Sequence, residues 1–136
     1  MPVEGGSFFD TNVLLYLVSS ESEKARMLDR YMMGGGKISV QVLNEITNVA
    51  RKKYGFTIEQ IRPFLLTLRA AFQVVPVTLE LHEIGLDLIG RYQFSTYDAM
   101  IVAAALHSGC NVVLSEDMQN GMSIYGRLRI QNPFLH

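Results

Sequence analysis

The chain is 136 residues long, 49% hydrophobic and 18% charged, which is one domain's worth of material with enough apolar side chains for a core and excludes a disordered or fibrous protein. The longest unbroken apolar run, Ala99 to Leu106, is far too short to cross a bilayer, and no basic-then-apolar leader opens the sequence, so neither a membrane span nor a secretory signal is expected. Twelve basic residues against thirteen acidic ones leave a net charge of −1, which argues against a broad nucleic-acid surface but leaves room for a small basic patch beside an acidic site.

In chain order, Ser7-Phe8-Phe9 is a short apolar strand that stops at Asp10, and Val13 to Val18 is apolar and helical. Ser20 or Ser22 caps a helix to about Met33, which Gly34-Gly35-Gly36 terminates. Ile38 to Val40 is the second strand. Ser39 or Gln41 opens a helix that ends at Gly55, and Thr57 with Glu59 and Gln60 has the composition of a capped start for one running through Phe72. Val74 to Val77 is β-branched and reads as the third strand, with Pro76 near its end. Thr78 caps a helix to about Tyr92, and Ser95 or Thr96 caps one to Ser108. Asn111 to Ser115 is the fourth strand, with a short fifth at Leu128 to Ile130. Short continuous strands alternating with helices imply βαβ units around a parallel sheet covered on both faces. The expectation is a single domain over residues 1–136, a three-layer α/β/α sandwich.

In such a sheet the functional crevice lies outside the carboxyl ends of the strands. Asp10 follows the first strand and Glu116-Asp117 the fourth, so both point there, although aspartates also end strands for purely local reasons. Asp98 is the only charged residue between Phe94 and Leu106, on a helix apolar on every side and therefore expected to be buried. It also stands where a capping box with Ser95 places an acid, and the two roles do not exclude each other. Glu45 lies at the edge of the stripe formed by Val42, Leu43, Ile46, Val49 and Ala50, whereas Asn44 and Asn48 point away.

Four acids at one sheet edge, with no thiol or histidine cluster, make a hard oxygen-ligand site suited to Mg²⁺ or Mn²⁺. Without a cation such a cluster repels itself and raises its own pKa values. Thr11, Asn12 and Ser115 supply short polar side chains able to orient the acids by hydrogen bonds. The single cysteine, Cys110, permits neither an internal disulfide nor a thiolate zinc site and points to a reducing cytoplasm.

These pieces together resemble a PIN-domain nuclease. They are Phe8-Phe9-Asp10-Thr11-Asn12-Val13-Leu14, Leu43-Asn44-Glu45, Tyr97-Asp98-Ala99-Met100-Ile101-Val102-Ala103-Ala104-Ala105, and Leu114-Ser115-Glu116-Asp117-Met118. The resemblance spans about residues 7 to 131 and is greatest to the toxin half of VapC-type toxin–antitoxin pairs. It implies metal-dependent cleavage of RNA, Asp10, Glu45, Asp98 and Asp117 as the acidic quartet, a homodimer and an antitoxin partner. Whether Glu116 or Asp117 faces the metal is open, as is the number of ions. Asn120 stands where relatives often carry a further acid.

Other features weigh less. Gly34-Gly35-Gly36-Lys37 lacks the first glycine and the Ser/Thr of a phosphate loop and leads into a strand. His82, His107 and His136 are scattered. Arg51, Lys52 and Lys53 close a helix, where they offset its dipole and also form the densest positive patch for an RNA backbone. Besides the ribonuclease reading stands a PIN-like module that binds RNA or protein without cutting. A phosphotransfer or receiver reading fails, because Asn12 stands where a second Asp is wanted and no late lysine follows a strand.

Overall fold

The computed structural model describes residues 6–18 and 22–135. Its elements are β1 (Ser7–Phe9), α1 (Thr11–Val18), α2 (Ser22–Met32), β2 (Lys37–Ser39), α3 (Val40–Tyr54), α4 (Ile58–Ala71), β3 (Gln73–Val75), α5 (Leu79–Tyr92), α6 (Thr96–His107), β4 (Val112–Leu114), β5 (Ser123–Ile124) and β6 (Leu128–Gln131). The sheet runs β3-β2-β1-β4-β6-β5, parallel except for β5. This is the expected three-layer α/β/α sandwich.

Two steps of the chain, β1 to β2 and β2 to β3, move outward in one direction, and the next crossover returns to place β4 on the other side of β1. Right-handed crossovers therefore put α1 to α4 on one face of the sheet and α5 and α6 on the other. The packing agrees: α1 touches α2 and α3, α3 touches α4, and α5 lies along α6, which rests on β2 and β4. The direction changes between β1 and β4, so the gap above their carboxyl ends is the topological switch point.

Local chemistry sets most boundaries. Ser39 caps α3, its hydroxyl accepting from Val42 N–H at 3.4 Å, so β2 covers Lys37–Ser39 rather than Ile38–Val40 and Val40 opens the helix. At the other end Gly55 adopts φ 67 and closes α3 with its N–H directed to the Ala50 carbonyl. Thr57 and Gln60 make the reciprocal capping box of α4 at 3.2 and 2.8 Å. β3 stops at Val75 and not Val77, because Pro76 has no N–H for the ladder. Thr78 and Ser95 cap α5 and α6. Of the two candidate caps for α2, Ser20 lies outside the described residues and Ser22 is the first residue of the helix.

One strand is absent from the sequence expectation. β5 pairs antiparallel with β6 through Ser123 opposite Arg129 and Ile124 opposite Leu128. Two residues are too few for an alternating pattern, and the turn carries Tyr125 at φ 52 before Gly126 at φ 69, where Asn or Gly is the usual signal.

β1 and β4 are buried along their whole length, and Phe8, Phe9, Val113 and Leu114 are fully inaccessible. In α2, Leu28 is fully buried while Tyr31 and Met32 pack against the core. Phe9 meets Phe72 edge-on at 4.9 Å between centroids. Gly36 lies directly under this pair: a Cβ there stands 2.7 Å from the Phe9 ring and 3.2 Å from that of Phe72. Gly36→Ala is therefore expected to destabilise the fold by about 1–3 kcal/mol through overpacking. Gly90→Ala, on an open helical position with nothing within 4 Å, is expected to stabilise it by about 0.5–1 kcal/mol. Thermal or urea melts of the two variants check both signs.

Candidate active site

Asp10 is the first residue past β1 and keeps the sheet ladder going, its N–H donating to the Leu114 carbonyl at 3.0 Å. This places its side chain at the switch point, 5% exposed. The carboxylate accepts from Thr11 N–H at 2.7 Å, Ser115 Oγ at 2.9 Å and Asn12 Nδ2 at 3.1 Å. Among the described residues no Lys, Arg or His pairs with it. Burial pushes its pKa up from 3.8 to about 6 against those hydrogen bonds, and the charges of Asp98 and Glu45 push the same way.

Asp98 stands in the first turn of α6, where Ser95 Oγ accepts its backbone N–H at 3.2 Å. It is half-buried and not buried as expected, because α6 is apolar all round only from Ala99 onward and its first turn opens on the cleft. Partial burial raises its pKa, a hydrogen bond with Ser95 opposes this, and the Asp117 charge adds to the rise. Glu45, half-buried on α3, accepts from Thr11 Oγ1 at 2.8 Å and from Gln41 Nε2 at 3.4 Å. Asn44 and Asn48 face solvent.

The two neighbouring acids after β4 part company. Glu116 pairs with Lys24 at 2.7 Å and accepts from the Tyr16 hydroxyl. Burial acts against its ionised form, but Lys24 and Tyr16 hold its pKa below the usual carboxylate range. Asp117 turns the other way and accepts from Asn12 Nδ2 at 3.2 Å. Asn12 ties the whole edge together: Nδ2 also reaches Ser115 Oγ at 3.3 Å, and Oδ1 accepts Glu116 N–H at 3.0 Å. Ser115 is fully buried and also accepts Met118 N–H at 3.2 Å.

The structure thus brings Asp10, Asp98 and Glu45 into one electrostatic neighbourhood, with Asp117 joined through Asp98 and Asn12. Among the described residues none of the four has a Lys, Arg or His within ion-pairing distance, so their mutual repulsion is uncompensated. Nor do any three acids, cysteines or histidines there stand close enough to grip one ion as placed. The donor set itself is all oxygen and anionic, and the charge imbalance is of the sign a hard divalent cation relieves, so the residues fit Mg²⁺ or Mn²⁺ by chemistry.

Three residues of the site escaped the sequence. Gln41 bridges Glu45 to the Tyr97 carbonyl at 3.2 Å, and only its position one turn before Glu45 hints at this. Tyr16 and Lys24 hold Glu116 across 100 and 92 residues of chain, a separation that leaves no local signal. Arg51, Lys52 and Lys53 are all exposed in the last turn of α3, and Lys53 borders a cleft that Asp117 also lines. Of the histidines, His107 lies 3.9 Å from Glu80, His82 is exposed, and His136 falls outside the described residues.

An acidic edge at the switch point of a short-stranded parallel sheet is the arrangement of a nuclease fold, and the comparisons agree. The sequence model of the PIN domain family matches residues 7–119, and the chain belongs to that family. Comparison with curated protein sequences finds no match. Among solved structures, a chain of a toxin-antitoxin complex from Klebsiella pneumoniae superposes with a TM-score of 0.73 over 95% of this chain and 98% of that one, at 23% identity. PIN domains are generally nucleases. No helix among the described residues is long and apolar enough to cross a membrane.

The raised pKa of Asp10 makes a signed prediction. Between about pH 4 and 6 the folded protein holds a proton that the unfolded chain has released, so stability falls as pH rises through that window. A displacement from 3.8 to about 6 corresponds to roughly 3 kcal/mol at neutral pH. In EDTA, Asp10→Asn is therefore expected to flatten the pH dependence and to be at least as stable as the parent at pH 7. A variant less stable at pH 7 by about 1–3 kcal/mol would show that hydrogen bonds from Thr11, Asn12 and Ser115 outweigh desolvation. Chemical denaturation across pH 4–8 decides between them.

Proposed function

We propose that this protein is a divalent-metal-dependent endoribonuclease that hydrolyses RNA phosphodiester bonds, and that it is the toxin of a toxin–antitoxin pair. The observation that carries the reading is the set of Asp10, Asp98, Glu45 and Asp117 about one switch point, none of them ion-paired among the described residues. A Mg²⁺ or Mn²⁺ ion bound there supplies Lewis acidity toward the phosphodiester and acidifies water, so no histidine base is needed. Asp10, Asp98, Asp117 and Glu45 would hold it, their side chains drawing together around the ion from the positions they take here. Thr11, Asn12 and Ser115 orient these carboxylates. Glu116 is spent on Lys24, which supports Asp117 as the ligand of the pair. Arg51, Lys52 and Lys53 attract the RNA backbone. The structural neighbour's membership of a toxin-antitoxin complex supports a cognate antitoxin, and a homodimer in the cytoplasm belongs to the same reading.

A binding-only module is the competing reading, and the spacing of the acids favours it, since no three of them stand close enough to grip an ion as placed. Cleavage decides. The purified protein is expected to cut RNA with Mg²⁺ or Mn²⁺ and not in EDTA; cutting unchanged in EDTA sinks the metal mechanism. Asp98→Asn keeps the capped helix but removes the charge, and is expected to lower cleavage by at least a hundredfold without unfolding. Asp117→Asn is expected to do the same and Glu116→Gln much less. Comparable losses in the last two would return the ligand assignment to both.

A further inference from the structure

The cleft beside the acids has a second wall that the acidic chemistry does not use. It encloses about 360 Å³, a volume in the range of small-ligand sites. Asn12, Glu116 and Asp117 line it, and so do Lys53 and Tyr54, the last two residues of α3. Tyr54 is 37% exposed. Its ring lies 6.0 Å from that of Phe56 and 5.6 Å from Lys53 Nζ. Gly55, at φ 67, makes the reversal that brings Phe56 back against Tyr54.

Tyr16 also lines this cleft, and the Tyr16 ring has Lys24 Nζ at 4.5 Å and Phe134 packed edge-on at 5.2 Å. Glu116 also lines the cleft, but Lys24 at 2.7 Å cancels its charge. Besides Asp117, the cleft therefore presents one exposed aromatic ring with one ammonium 5.6 Å from its centroid. A ring face next to a cation is what a nucleobase and its phosphate require, and it does not discriminate among bases.

We infer that Tyr54 and Lys53 form a subsite for one unpaired nucleotide of the substrate strand, the base stacked on Tyr54 and its phosphate against Lys53, adjoining the bond to be cut near Asp117. A cleft of this size takes a single splayed-out nucleotide and not a duplex, in which both faces of each base are covered by their neighbours. The substrate class is accordingly single-stranded RNA or an unpaired loop. The inference takes its substrate from the ribonuclease reading, but its test does not depend on cleavage.

The test uses a fluorescein-labelled single-stranded RNA oligonucleotide and a hairpin-free duplex of the same sequence, bound to full-length protein in EDTA and followed by anisotropy. Tyr54→Ala is expected to weaken single-strand binding by roughly five- to a hundredfold, Tyr54→Phe to restore it, and duplex binding to change little in either. Lys53→Gln is expected to lower the salt dependence of single-strand binding by about one charge. Melting curves verify that each variant folds; should Tyr54→Ala fail to, Tyr54→Leu, which keeps apolar bulk and loses the ring, takes its place with the same expectation. Equal single-strand affinity in parent and ring-less variant, or equal losses for single strand and duplex, overturns the subsite. If the parent cuts no RNA in Mg²⁺ but the ring-dependent binding is present, the nuclease reading falls and the subsite stands. If the parent cuts and the ring-less variant keeps its KM and its affinity, the subsite falls alone. A rise in KM with kcat largely kept supports it.

Discussion

The burial of the Asp10 carboxylate between β1 and β4, with no ion pair among the described residues, is the constraint on which the rest of the site depends. An ionised group at 5% exposure is tolerable only if hydrogen-bond donors surround it. The chain supplies them from three directions: the first residue of α1, the Asn12 amide one position on, and the Ser115 hydroxyl at the end of β4. Each donor is then committed elsewhere as well. Thr11 holds Glu45, Asn12 holds Asp117 and the Glu116 backbone, and Ser115 holds the Met118 backbone. The geometry of α1, α3 and the loop after β4 is thus coupled through one carboxylate.

This coupling also explains the division between Glu116 and Asp117. Asn12 accepts the Glu116 N–H and donates to the Asp117 side chain, so the two adjacent carboxylates meet different partners. On one side Lys24 and Tyr16 neutralise Glu116. On the other, Asp117 faces Asp98 with nothing to balance it. The result is unbalanced negative charge over the switch point, with a neutralised Glu116–Lys24 pair and the Tyr16 ring next to it.

The structural likeness to a chain only 23% identical, over nearly the whole length of both, fits a fold specified by pattern more than by particular residues. A buried parallel sheet asks for apolar runs of the right length, caps at helix starts and right-handed crossovers, and many sequences satisfy those. Function is carried by the few side chains placed at the sheet edge.

The amino-acid sequence alone determined the layer architecture, the helix starts at Thr57 and Thr78, and the candidate acids, because each rests on a signal within a few residues: a capping side chain, an apolar run, an acid just past a strand. Boundaries slipped where two local rules competed, as at Val40, apolar enough for a strand but first in the helix that Ser39 caps. Asp98 is half-buried although its helix is apolar overall, because the apolar run begins only at Ala99 and the first turn meets the cleft. β5 was invisible, since two residues carry no period and its pairing is made by β6. What only the tertiary structure decided is what depends on distant chain segments: the tie between Asp10 and Ser115, 105 residues apart, the pairing of Glu116 with Lys24 across 92, and Lys53 and Tyr54 standing over the same cleft as Asp117. No periodicity connects such positions; the crossovers that fold β4 against β1 do.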